Sequence, residues 1–253
     1  MSRRQEHRTA GALAVHSWKI GIGNAHLIVG RRAVLVDTGP ASGARVLRRR
    51  LLAAGLEPGD LAAVILTHAH ADHSGNAATF AELGVPVVLG AADADMAAAG
   101  HNPPLNPTGP AGRLLNRIVS HAFPAFAPSV RATSTVDLSP YGIDGEFRLV
   151  GGHTDGSGVV VADDSIAVGD LVRGGFLGGA VLSGVANVHY FSPDPAADLH
   201  RVAGLIDELR PRRILLGHGG PLDADSARRR IDALLGKRKG RSPRRTAAKS
   251  PLQ

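Results

Sequence analysis

Residues 61–75 read LAAVILTHAHADHSG, an apolar run that gives way at once to His68, His70, Asp72 and His73. The run Leu61–Leu66 is too short for a free-standing helix and has the length and branching of a buried strand. Alternate residues leaving a strand point the same way, so His68 and His70 can grip one ion while Asp72 and His73 turn toward a second. Polar loops are often rich in His and Asp, but three imidazoles and a carboxylate packed this densely at a strand end predict a metal site.

Working outward, residues 12–37 hold the short apolar runs ALAV, AHLIV and AVLVD between turns, which predicts a strand meander. Helical spacing follows at 44–55 and 75–84, and a second buried strand at 85–90. The segment 101–128 is rich in Pro and Asn with one amphipathic stretch, GRLLNRIVS, and reads as a lid or insertion. Strands are then predicted at RATSTVDL (131–138), GEFRLVGG (145–152), SGVVVA (157–162) and SIAVG (165–169). A loop-rich stretch reaches about 194, followed by a helix (196–210), a strand (212–217) and a helix (225–236). Strand alternating with helix predicts a layered α/β fold, and the element order suggests two similar halves.

Three more ligand-type residues stand at the ends of apolar runs beside glycine. His153 follows EFRLV in GGHTDGS, Asp170 closes SIAVGD, and His218 follows the strand in RRILLGHGGP. Their repeated placement predicts that they complete the coordination begun by the first cluster. His26, His101, His121 and His200 carry no spacing argument and are expected to be structural.

Composition narrows the chemistry. The 253 residues contain no Cys, so a disulfide framework, a thiolate nucleophile and an iron–sulfur cluster are excluded, and any metal must be held by His and carboxylates. The formal charge is +7, but Lys237, Arg238, Lys239, Arg241, Arg244, Arg245 and Lys249 all lie at the C-terminus. Setting those seven aside leaves 22 basic residues against 22 acidic ones. The body therefore has no net basic footprint for nucleic acid. No apolar signal region or membrane-length run is present, and the expected location is cytoplasmic.

The ordered set His68, His70, Asp72, His73, His153, Asp170 and His218 resembles the signature of the metallo-β-lactamase superfamily over almost the whole chain. VLVDTG at 34–39 is similar to that family's early strand and turn. The resemblance implies a four-layer αββα sandwich with the metals at one edge between two sheets. It implies a domain over 10–236, with 101–128 as the lid insertion and 237–253 as a basic tail expected to be disordered. Carried over residue by residue, His68, His70 and His153 would hold one metal, Asp72, His73 and His218 the other, and Asp170 would bridge them, with Asp37 behind the metal loop. Two divalent ions are implied, usually zinc, with iron or manganese in some branches.

The implied reaction is hydrolysis of a small ester, thioester or lactone by a metal-bridged hydroxide, with Asp72 as the catalytic residue that holds the attacking oxygen and takes its proton. A bridging carboxylate at Asp170 resembles the glyoxalase II, lactonase and ribonuclease Z branches more than typical β-lactamases. Asp155 stands where many relatives have proline, and reads either as a turn residue or as an extra carboxylate near the first metal. On the substrate side, Arg173 is expected on a loop facing the cleft, where it could bind an anionic group, and His189 and Tyr190 could supply an oxyanion donor. Two other readings use the same residues: a mononuclear iron persulfide dioxygenase, and a nucleic-acid-associated protein, phosphodiesterase or non-catalytic binder, that uses the basic tail for non-specific contact.

Overall fold

The computed structural model describes residues 13–177 and 179–239, the last three as backbone only. The first half of the chain builds one sheet from β1 (Ala14–Ile20), β2 (Gly23–Val29), β3 (Ala33–Val36), β4 (Ala63–Ile65), β5 (Val87–Gly90) and β6 (Val130–Ala132), in that spatial order. The second half builds the other from β7 (Val136–Asp137), β8 (Gly145–Leu149), β9 (Gly158–Ala162), β10 (Ser165–Ala167), β13 (Arg213–Leu215) and β14 (Leu222–Asp223), in the order β14-β13-β10-β9-β8-β7. A separate two-stranded ribbon joins β11 (Arg173–Phe176) to β12 (Val181–Asn187).

Both faces of the central strands are apolar, and their alternation sorts side chains into three layers of core. In β3, Ala33 and Leu35 face outward to Leu47 and Leu51 of helix α1 (Ala44–Ala53), while Val34 and Val36 face the other sheet. In β10 and β13, Ile166 and Ile214 pack beneath helix α6 (Pro195–Leu209) and helix α7 (Ala224–Lys239), while Ala167 and Leu215 join the layer between the sheets. Helices α2 (Ala71–Ser74), α3 (Ala77–Glu82) and α4 (Ala94–Ala99) lie with α1 on the chain's first half, and the short α5 (Pro110–Leu115) falls within 101–128. The architecture is the αββα sandwich that the family resemblance implies.

Strands β3 and β4 run parallel, as do β10 and β13, and β8 runs the same way as β10 because each is antiparallel to β9. The chain segments that follow β3, β4, β8, β10 and β13 carry Asp37, His68 to His73, His153, Asp170 and His218. Hydrogen bonds stitch this rim across the two halves: Asn24 N–H donates to the Gly217 carbonyl at 2.8 Å, and Gly158 N–H to the Thr67 carbonyl at 2.8 Å.

Several elements depart from their sequence reading. The expected strand 131–138 breaks at Thr133–Thr135, three polar residues, and its two ends join different sheets. The expected loop 171–193 contains the β11–β12 ribbon, and Asp72 and His73 sit on a single helical turn, α2, rather than in open loop. Helix α7 continues to Lys239, past the expected end at 236, and the remainder of the basic tail, 240–253, lies outside the described residues. No helix among the described residues is long and apolar enough to cross a membrane.

Candidate metal centre

Five imidazoles converge on one carboxylate oxygen. Asp170 Oδ2 lies 3.3 Å from Nε2 of His73, 3.3 Å from that of His218, 3.1 Å from that of His189, 3.7 Å from that of His153 and 3.9 Å from that of His68. His70 meets the group through Nδ1, 2.9 Å from His153 Nε2, and Asp72 through Oδ2, 3.2 Å from His218 Nε2. The ligand atoms of His68, His70 and His153 form one cluster that could hold an ion, those of Asp72, His73 and His218 another, and Asp170 joins His68 and His73 in a third. All seven residues expected from sequence are thus brought together.

The far nitrogen of each ring explains the aim of the near one. His73 Nδ1 donates to Asp37 Oδ2 at 2.9 Å, His218 Nδ1 to the Ile22 carbonyl at 2.8 Å, His153 Nδ1 to the Phe191 carbonyl at 3.0 Å and His68 Nδ1 to Thr67 Oγ1 at 3.1 Å. A ring whose Nδ1–H is taken in this way presents Nε2 as a lone pair, the form that binds metal. His68 Nε2, His73 Nε2 and Asp170 Oδ1 are buried with no hydrogen-bond partner. Stranding such atoms is costly unless something else satisfies them, and a cation does so. A nitrogen and carboxylate set without sulfur fits zinc, iron or manganese.

Two carboxylates hold the loops from behind. Asp37 accepts from Thr67 N–H at 2.8 Å and from Thr67 Oγ1 as well as from His73, so it brings the start of the metal loop to His73. Asp93 does the same for the other cluster: it accepts from Ala69 N–H at 3.0 Å, between His68 and His70, from Thr154 Oγ1 at 2.8 Å, next to His153, and from Gly156 N–H at 3.0 Å. Asp93 was not singled out from sequence, although it follows the buried strand VPVVLG much as Asp170 follows SIAVG. Asn102, also unforeseen, accepts from Ala71 N–H at 3.0 Å. Close approach requires glycine at 217, where a Cβ would strike Asp170 Oδ1 and the His73 ring.

Burial pushes the pKa of His68 well down, that of His153 down, and those of His70 and His189 to about 3, so these rings are neutral. Burial also works against charge on His73 and His218, but Asp170, Asp37 and Asp72 outweigh it and raise His73, and Asp170 with Asp72 lifts His218 to about 10. Against the same burial, His189, His218 and His73 hold Asp170 well below the usual carboxylate range, and His73 and His218 do the same for Asp72. Protons on His73 and His218 therefore compete with a cation for the same nitrogens.

A cavity of about 170 Å³ opens over the cluster, lined by His70, Asp72, His153, Asp170 and His189 with Ile22, Leu105, Val119 and Phe191 among its apolar walls. A groove of about 610 Å³ adjoins it and shares His70, Asn102, Leu105, His153 and Phe191. The 101–128 segment contributes to both walls. His101, expected to be purely structural, lines the groove and stacks on His121 at 5.8 Å, and Asp155 lines the groove without joining any ligand cluster. Arg173 is not on an open loop: it begins β11, is buried, donates to the Gly175 carbonyl and lies 3.9 Å over the Tyr190 ring. Tyr190 Oη accepts from Leu177 N–H, and neither Arg173 nor Tyr190 lines the two cavities. His189 does line the smaller one.

A family model described as the metallo-beta-lactamase superfamily matches residues 18–218. Among solved structures, the chain is similar to a metallo-beta-lactamase family protein from Thermus thermophilus, at 21% identity and a TM-score of 0.59, over 91% of this chain and 79% of that one. It is also similar to a subclass B3 metallo-beta-lactamase of Bradyrhizobium japonicum, at 17% identity and a TM-score of 0.58, over 90% and 91% of the two chains. An archaeal superfamily protein from Sulfolobus tokodaii matches at 16% identity and a TM-score of 0.60, over 96% and 91%. At these identities the likeness shows the fold alone, and a comparison with curated proteins finds no match. The family match runs from within the first strand through the last of the converging histidines, and the chain belongs to the metallo-beta-lactamase superfamily.

Proposed function

We propose that the protein is a binuclear metal-dependent hydrolase acting on a small, uncharged ester, thioester or lactone. The observation that carries this reading is the pair of ligand clusters joined at Asp170, with buried lone pairs that no protein group satisfies. His68, His70 and His153 would hold one ion, Asp72, His73 and His218 the other, and Asp170 would serve both. When bound, two divalent ions supply Lewis acidity and bring the pKa of water toward neutrality. Asp72, half-buried and facing the cavity with its Oδ2 tethered to His218, orients the attacking water and takes its proton. The apolar walls exclude bulk water from the acyl group.

No Lys or Arg lines either cavity among the described residues, which favours a neutral substrate over a phosphodiester or a thioester with an anionic carrier. Arg173, turned onto Tyr190, does not supply the missing charge. The test is elemental analysis of the purified protein followed by a panel of lactones, neutral esters, anionic thioesters and phosphodiesters. About two ions per chain and turnover of neutral acyl compounds are expected. A single iron with oxygen-dependent consumption of persulfide would replace the hydrolase with the dioxygenase reading.

A further inference from the structure

His189 is absent from the ligand set that the resemblance implies, yet it has every feature of a ligand. It is buried, at 5% exposure. Its Nδ1 lies 2.9 Å from the Phe191 carbonyl, the same oxygen that takes His153 Nδ1 at 3.0 Å, so one carbonyl with two lone pairs orients both rings. The ring stands edge-on to His153, with centroids 4.9 Å apart, and stacks on His218 at 5.3 Å. Its Nε2 is 3.1 Å from Asp170 Oδ2, and with His153 and Asp170 it forms a cluster whose ligand atoms all lie within 4.8 Å of one another. Two donors on one ion, each at about 2.1 Å, stand about 3 Å apart.

We propose that His189 Nε2 is a further metal ligand, added from the cavity side beside His153 and Asp170. The inference rests on the metal-binding reading above and extends it. With Nδ1–H donated to Phe191, two lone pairs would face each other between Nε2 and Asp170 Oδ2, and a cation between them turns that repulsion into coordination. The competing arrangement uses the other tautomer: Nδ1 accepts from Phe191 N–H at 3.2 Å and Nε2–H donates to Asp170, which makes His189 a positioning residue. The shorter contact to the carbonyl and the matching treatment of His153 favour the ligand.

The experiment uses the full chain labelled with ¹⁵N at histidine and loaded with ¹¹³Cd, whose couplings report each coordinated ring nitrogen. Six coupled imidazoles are expected, from His68, His70, His73, His153, His189 and His218, with the sixth signal lost in His189→Ala. Cobalt titration gives the second readout: His189→Ala and His189→Asn should both weaken the affected site by about a thousandfold or more, beyond the roughly 10–100-fold range for loss of an outer hydrogen bond. Imidazole added to the Ala variant should restore the visible cobalt spectrum. Five coupled imidazoles in the wild type, or an Asn variant that keeps wild-type cobalt affinity and spectrum, would overturn the proposal and leave the hydrolase reading standing. A wild-type protein that takes up neither metal would overturn both.

Discussion

Replacing Asp93 by Asn tests whether the cluster of His68, His70 and His153 is held in place by a group that touches none of them. With the amide oxygen at the Oδ2 position, the bonds from Ala69 N–H and Thr154 Oγ1 survive, and the Gly156 N–H then faces an NH₂ group instead of an acceptor. Losing one hydrogen bond to a charged acceptor costs about 1.5–3 kcal/mol. The neutral amide avoids the burial cost that raises the Asp93 pKa, which returns part of that loss. A net loss of about 2 kcal/mol corresponds to a fall in Tm of roughly 4–8 °C for a chain of this size. Because Ala69 and Thr154 are neighbours of these three histidines, metal affinity there should fall about tenfold to a hundredfold, with the site of Asp72, His73 and His218 little changed. Calorimetry in excess chelator isolates the folding effect, and cobalt titration isolates the metal effect. An Asn variant with wild-type Tm and wild-type affinity at both sites would refute the reasoning.

Asp72→Asn should cut turnover on a hydrolysed ester by about a hundredfold or more even with metal in excess, read as kcat at saturating zinc, because an amide cannot take the proton. Asp170→Asn should weaken the second ion most, measured by metal stoichiometry after dialysis, with the exposed His200→Ala as the unaffected control. Gly217→Ala should lose metal without global unfolding, since its Cβ collides with Asp170 and His73, and circular dichroism alongside elemental analysis separates the two effects. Chelation should lower Tm by about 8–16 °C relative to protein in free zinc at a thousand times Kd, from about 4 kcal/mol of binding free energy; a Tm indifferent to chelator would count against a site formed by folding.

Five of the seven converging residues, His68, His70, His153, Asp170 and His218, are legible because each follows closely on a strand, whose end has a direction that sequence can supply, and Asp72 and His73 are legible because they stand within five residues of His68. Asp93 is not legible because it stands at the start of α4, and nothing in one sequence tells a helix-start carboxylate from one that accepts three hydrogen bonds from two loops. The β11–β12 ribbon was missed because GGFLGGA has no alternation to detect, so Arg173 was expected to stand free when it is turned onto Tyr190. The division of residues 131–138 between the sheets depends on which edge each half meets, and that is a tertiary fact. The sequence offers His189 as an oxyanion donor beside Tyr190 but not as a neighbour of Asp170, because that approach follows from loop geometry with no spacing rule.

The first sheet comes from residues 14–132 and the second from 136–223, and the converging residues divide accordingly: His68, His70, Asp72 and His73 follow a strand of the first, and His153, Asp170 and His218 follow strands of the second, with His189 entering from the β11–β12 ribbon. The centre therefore works as a vernier between two plates. A slip of one sheet past the other of a few tenths of an ångström, too small to expose any of the shared core, appears undiminished as a change in the distances between nitrogens and carboxylate oxygens. Repacking at Phe147 or Ile143, deep between the plates, would detune the centre while the fold stayed intact. On heating, the distances among the converging nitrogens and carboxylate oxygens should change before the sandwich melts, read as metal affinity lost below Tm.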